Sequence, residues 1–301
     1  CGSTEAMMAT MLSITNPGDK VVIFSPFYEN YGADTILSGA EPIYVPLVPP
    51  EFHFDKEKLE DAFRQGAKAL ILCNPSNPCG KVFTMEEMQT IAELAKKYDA
   101  YVVTDEVYEH IVYAPNKHIY MQSLEGMRER TIVCNSLSKT YSITGWRLGY
   151  VIANPQIIDR VKKVHDFLTV GAAAPLMEAA VVGLEFGDGY YDELAAHYAH
   201  MKEVFVGGLK KLGLKYTDPQ GAYYVLVDVS EFGVKDDVKF CEWMAQFVGV
   251  AAVPGSSFFR EDVHNLVRFH FAKQDDTLNE AIKRLATLKE KAMNAKNVDW
   301  R

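Results

Sequence analysis

A chain of 301 residues has room for one large domain, or a large domain with a smaller partner. Apolar residues at 48% and charged residues at 24% exclude disordered, collagenous and low-complexity readings. With 31 Lys and Arg against 40 Asp and Glu, the net charge of -9 has the wrong sign for a phosphate backbone, so no nucleic-acid partner is expected.

The opening CGSTEAMMATML has no initiator Met and no basic leader, and it enters a helical pattern at once. The chain is therefore expected to begin inside a longer protein. Over the first half, Val- and Ile-rich runs alternate with amphipathic stretches, the pattern of strand and crossover helix in a mainly parallel sheet. Strands are expected at 20–24, 42–45, 69–73, 100–104, 131–135 and 147–152, with helices at 4–15, 28–37, 56–64 and 85–98. PLVPPEF at 46–52 reads as a surface loop. The apolar stretch 170–184 is broken by Pro175 and Glu178 and falls short of a membrane span, which needs about 18–20 apolar residues.

A helix is expected after Pro175 and another over 190–212, long enough to bridge two domains. From Tyr223 the texture changes: YYVLVDV, VAAVPG and LVRFHFA read as short strands, with helical 236–247 between them and a closing helix over 278–295. This gives a large α/β domain at 1–190 and a smaller α+β domain at 191–301 that includes the connecting helix. Cys1, Cys73, Cys79, Cys134 and Cys241 form an odd, scattered set, which fits a reducing, cytoplasmic compartment. The eight histidines show no metal-ligand spacing, so no metal is expected.

Ligands of open α/β sheets bind beyond the carboxyl ends of the strands. NPSNPCG follows the third expected strand, Asp105 the fourth, and Ser136 with Lys139 the fifth. Singly, each has an ordinary reading: Asn-Pro makes turns, Asp caps helices and Lys is solvated. Jointly they point to chemistry. Lys139 stands in SLSKTYSITGWRLGY, with Ser136 and Ser138 before it and Arg147 eight positions after. A second cation nearby destabilises its ammonium, and the free amine is the form that makes a Schiff base. The hydroxyls and the guanidinium suit a phosphate. A reactive lysine beside a phosphate site suggests pyridoxal 5'-phosphate, whose pyridine nitrogen needs a carboxylate to stay protonated; Asp105 fits. Arg268 interrupts the apolar LVRFHFA, where an unpaired guanidinium is costly to bury.

GSTEA, NPSNPCG, TDEVYEH, SLSKTYSITGWRLGY and LVRFHFA, in this order over essentially the whole chain, resemble the class I and II aminotransferases of fold type I. Within them the sequence looks most like the branch of bacterial aspartate, aromatic and kynurenine aminotransferases, and it departs from the pattern in lacking the N-terminal portion. The resemblance implies a three-layer fold with a mainly parallel mixed sheet, and a homodimer that moves an amino group between an amino acid and a 2-oxo acid by a ping-pong cycle. It implies that Lys139 forms the Schiff base and shuttles the proton, and that Asp105 pairs with the pyridinium nitrogen. Tyr108, on the same face as Asp105 if 105–108 turns helical, would bond the cofactor's phenolic oxygen together with Asn77. Ser3, Thr4, Ser136 and Arg147 would hold the phosphate, Tyr28 would stack on the ring, and Arg268 would take the substrate α-carboxylate with Asn77 beside it. Tyr28, Tyr31 and the GAYY at 221–224 offer an aromatic, neutral surface, so neutral, aromatic or sulfur-containing amino acids are expected to serve at least as well as aspartate. Two alternatives remain open at this point: an elimination enzyme such as a C–S lyase of the same fold, and an aminotransferase-like regulatory domain.

Overall fold

The computed structural model describes residues 1–295 and 298–301, so Lys296 and Asn297 of the expected smaller domain lie outside the described residues. Seven strands make the larger sheet: β1 (Lys20–Ser25), β2 (Glu41–Val48), β3 (His53–Phe54), β4 (Ala67–Cys73), β5 (Tyr101–Asp105), β6 (Thr131–Ser136) and β7 (Gly149–Ile152). Their order is β3-β2-β1-β4-β5-β6-β7. β2 through β6 run parallel, and both edge strands are antiparallel. The expected α/β class with a mainly parallel mixed sheet is what the chain forms.

The unbroken Val and Ile runs have a simple cause. In β1, Val21 and Ile23 enter one helical layer while Val22 and Phe24 enter the other; in β4, Ala69 and Ile71 oppose Leu70 and Leu72. A strand covered on both faces has no polar side to alternate with. One face is covered by α1 (Gly2–Ile14), α2 (Asn30–Leu37) and α5 (Pro155–Leu168), the other by α3 (Lys56–Arg64) and α4 (Met85–Lys97). Asp55 caps α3, and Thr84 with Glu87 forms a capping box on α4; such caps stabilise a helix by about 1 kcal/mol each.

After α6 (Ala174–Leu184) and the long α7 (Asp188–Lys211), a second sheet forms from β8 (Lys215–Tyr216), β9 (Tyr224–Asp228), β10 (Val253–Pro254) and β11 (Leu266–His270). It is antiparallel throughout, in the order β10-β11-β9-β8. α8 (Asp237–Trp243), α9 (Asp275–Leu285) and α10 (Leu288–Asn294) complete this part. Residues of α7, α8, α9 and α10 share its core with Val107, Tyr108 and Ile111, which follow β5 of the larger sheet.

Several expectations need correction. The strand expected at 42–45 runs on to Val48, and the expected loop 46–52 shrinks, because Leu47 and Phe52 bury in the α3/α4 layer and that burial outweighs the proline-rich turn signal. The strand expected from 147 starts at Gly149, with Arg147 in a left-handed turn before it. The stretch 106–110 forms turns rather than a helix, with Glu109 N–H bonded to Glu106 and Ile111 N–H to Tyr108. The closing helix is split at 286–287 into α9 and α10. Helix α5 went unread, although Asn154 capping and Pro155 at the first turn mark its start. Among the described residues no helix is long and apolar enough to cross a membrane.

The chain leaves β1 for β2 on one side and later returns to β4 on the other. That switch opens a crevice beyond Ser25 and Cys73, where open α/β sheets bind ligands.

Candidate active site

A pocket of about 170 Å³ occupies this crevice, lined from α1, the segment after β1, and the segments after β4, β5 and β6. One end is built for an anion. α1 starts at Gly2 with no side-chain cap, so the N–H groups of its first turn remain available, and Ser3 and Thr4 line the pocket there. Arg147 reaches over this helix end, its Nη2 3.4 Å from Thr4 Oγ1 and its Nη1 donating to the Thr144 carbonyl at 3.0 Å. Two glycines shape the approach: Gly2 has φ +78°, and a Cβ on Gly149 would lie 2.4 Å from the carbonyl carbon of Gly2. Ser136 closes the turn after β6 by accepting the Ser138 N–H at 3.1 Å, and both serines line the pocket.

The opposite end holds Asp105, buried at the end of β5. Its Oδ2 accepts the Tyr31 hydroxyl at 2.7 Å and its Oδ1 the Val107 N–H at 3.3 Å. Burial pushes its carboxyl up to about 6, and the Glu106 charge adds to this; the two hydrogen bonds and the Lys139 charge oppose the rise. Tyr31 is only 3% exposed. It lines the pocket, as expected, with its hydroxyl committed to Asp105.

Between the ends, Lys139 lies half-buried in the turn after β6, its Nζ 6.0 Å from the Tyr223 ring centre. Burial depresses its ammonium, the Arg147 charge adds to that, and Asp105 works against it. The amine is thus easier to free than that of an exposed lysine. Tyr28 stands half-buried at the pocket wall, its ring at 82° to that of Tyr31. Asn77, Tyr108 and Tyr224 complete the wall. Tyr108 enters from the turns after β5, so its expected place in the site did not require a helix there.

Arg268 lies just beyond the pocket and donates to Asn77 Oδ1 at 2.6 Å. Its guanidinium carbon is 4.4 Å from the Tyr224 ring centre and 4.3 Å from that of Phe258. Among the described residues no carboxylate pairs with it, so the structural salt bridge that would account for a buried arginine is not what holds it. All ten residues singled out from the sequence thus converge: nine line the pocket, and Arg268 joins through Asn77. Tyr224 lines the pocket as expected, but sequence reasoning missed its hydrogen bond with Tyr108 and the partnership of Tyr31 with Asp105. It also missed that Glu106, Glu109 and His118 meet within 4.8 Å, with His118 Nε2 3.1 Å from Glu106 Oε2.

The profile of the family described as aminotransferase class I and II matches residues 1–285. The chain belongs to this family. It is 35% identical to a probable N-succinyldiaminopimelate aminotransferase, DapC, of Mycobacterium tuberculosis, over 96% of this chain and 76% of the relative. A methionine aminotransferase of Escherichia coli is 33% identical over 95% of this chain and 75% of its own. The solved structure of the M. tuberculosis N-succinyldiaminopimelate aminotransferase superimposes with a TM-score of 0.91 over 95% of this chain and 76% of that one. A Thermus thermophilus aspartate aminotransferase variant gives 0.87 at 30% identity, over 95% and 74%.

The protein is a pyridoxal 5'-phosphate-dependent aminotransferase, and its pocket fits the cofactor. An uncapped helix N-terminus with hydroxyls and a guanidinium suits a phosphate, a buried carboxylate suits a pyridinium nitrogen, and a lysine with a depressed ammonium lies between them to meet an aldehyde.

Proposed function

We propose that this aminotransferase prefers neutral, aromatic or sulfur-containing L-amino acids, held by their α-carboxylate on Arg268. The observation that carries the reading is the state of Arg268: anchored on Asn77, flanked by Tyr224 and Phe258, and without an acidic partner among the described residues. A guanidinium so fixed is ready for a two-pronged contact with a carboxylate. The cations that line the pocket, Lys139 and Arg147, are assigned to the aldehyde and phosphate positions, while Tyr28 and Tyr224 give the remaining wall a neutral, aromatic character.

Ser3, Thr4, Ser136 and Arg147 would hold the phosphate, Asp105 would pair with the ring nitrogen, Asn77 and Tyr108 would donate to the phenolic oxygen, and Tyr28 would pack against the ring. The bound cofactor supplies an electron sink for the pair released at the substrate's Cα. Lys139 Nζ would take the proton from the substrate's Cα, and burial beside the Arg147 charge makes its free amine easier to reach than that of an exposed lysine. The relatives at 33–35% identity bear aminotransferase names, which supports transfer over the elimination and regulatory readings.

In this reading the chain divides at residue 190 into a large and a small domain and works in the cytoplasm as a homodimer. The exposed apolar run of Phe167 (92%), Val170 (79%), Val182 (61%) and Leu184 (59%) supports self-association. Sedimentation as a monomer at assay concentrations would refute the dimer.

The substrate claim is tested by kcat/KM for aspartate, methionine, phenylalanine and kynurenine in wild type and Arg268→Ala. Neutral substrates should equal or exceed aspartate, and the variant should lose on the order of 10²-fold or more for all of them. A strong aspartate preference overturns the side-chain reading; unchanged kinetics in the variant overturn the carboxylate reading.

A further inference from the structure

We infer that Tyr224 is a positioning residue that links the carboxylate-binding arginine to the phenol facing the cofactor, its ring lying against Arg268 and its hydroxyl against that of Tyr108. The inference rests on the proposed roles of Arg268, Asn77 and Tyr108. Tyr224 opens β9 in the smaller sheet, whereas Tyr108 follows β5 of the larger one, so their contact ties the two sheets together at the pocket.

Register explains why Tyr224 meets Arg268. β9 and β11 pair antiparallel with Leu226 opposite Arg268 and Tyr224 opposite His270. Tyr224 and Arg268 are thus diagonal neighbours on one face of the sheet, within reach for long side chains. The guanidinium carbon lies 4.4 Å from the Tyr224 ring centre. At the edge of the ring, the hydroxyl is 2.9 Å from that of Tyr108, and both residues are buried.

Two phenols that share one hydrogen bond use one of their two protons, so the direction of the bond decides which proton is left for the cofactor. A cation on the face of Tyr224 draws density from that ring and makes its hydroxyl the better donor. Tyr224 therefore donates to Tyr108, and the Tyr108 proton stays available to the cofactor's phenolic oxygen. Asn77 is set by the same arginine. Its Oδ1 accepts from Arg268 at 2.6 Å, which leaves its amide N–H groups to donate. Arg268 thus orients both donors to one oxygen, Asn77 directly and Tyr108 through Tyr224.

Tyr224→Phe removes the hydroxyl and keeps the ring against Arg268, so the fold and the cation contact should survive. The readout is the apparent pKa of the cofactor's visible absorption band on the full chain, measured in wild type, Tyr224→Phe, Tyr108→Phe and the double variant. Tyr108→Phe removes a donor to the phenolic oxygen and makes its ionised form harder to keep, whereas Tyr224→Phe removes only the hydrogen bond that Tyr108 accepts, which aims and polarises the Tyr108 hydroxyl; Tyr224→Phe should therefore raise this value by about half a pH unit and Tyr108→Phe by more. The double variant should match Tyr108→Phe alone, because Tyr224 acts only through Tyr108. A Tyr224→Phe titration identical to wild type, a downward shift, or a full additional rise in the double variant overturns the inference. A wild-type chain that shows no titrating band, and no reducible link at Lys139, overturns the proposed site roles instead and the inference falls with them.

Discussion

At the α1 end of the pocket, Arg147 lies exposed and the groups around it are backbone N–H and hydroxyls; at the β5 end, Asp105 is 7% exposed and bonded to a buried phenol. The first end attracts an anion with groups that water solvates well, so its contribution is screened by salt and spread over several donors. The second holds a carboxylate that burial pushes up to about 6, and its ionisation depends on two hydrogen bonds and the Lys139 charge. Under the proposed roles, affinity for the cofactor would be distributed at one end and control of its electronics concentrated at the other.

Lys139 stands between the two ends, and its loss should have the largest effect. Lys139→Ala should abolish transfer and the borohydride-reducible link to the cofactor while both ends keep their geometry. Peptide mapping of the reduced wild type checks the assignment; a pyridoxyl label on another lysine would sink it.

The next effect belongs to the buried end. Asp105→Asn should leave cofactor bound and slow proton removal on the order of 10³-fold or more, which is about 4 kcal/mol of barrier. Near-normal turnover in this variant would show that the nitrogen does not need the charge. Without cofactor the same variant carries a stability test. Burial pushes the folded carboxyl up to about 6 from its ordinary value of 3.8, so the folded state keeps the proton that the unfolded state releases. Asp105 therefore costs stability that is absent below about pH 4, grows as pH rises towards 6 and is fully present above. Over that window Tm of the cofactor-free wild type should fall relative to Asp105→Asn, by at most about 3 kcal/mol in stability. Parallel Tm curves for the two proteins would contradict the burial argument.

The smallest effect belongs to the exposed end. Arg147→Ala should weaken cofactor affinity by about 10-fold to 100-fold, with turnover at saturating cofactor much less altered. Added salt should shrink the difference between the variant and wild type. If Arg147→Ala instead lowers saturated turnover as strongly as Asp105→Asn, the division of labour between the two ends fails.

Much of this was legible in the chain. The Val and Ile runs follow from strands buried on both faces, and the polar residues just after β4, β5 and β6 follow from the rule that open sheets bind ligands at their carboxyl ends. Helix α5 was missed despite clear start signals at Asn154 and Pro155, whereas β3 and the buried Phe52 were hidden beneath a proline-rich turn signal. The hydrogen bond from Tyr31 to Asp105 was not legible because its partner lies 74 residues away.

What the sequence determined by itself was local: element type, the order of the strands along the chain, and which residue types follow each strand. The tertiary structure decided the pairings that give those residues their chemistry. Tyr108 meets Tyr224 across 116 residues, and Arg268 meets Asn77 across 191. Periodicity and capping operate over a few residues, but sheet order and register set contacts at such separations, and a register slip of one residue would turn Arg268 to the opposite face of β11 and away from both Asn77 and Tyr224.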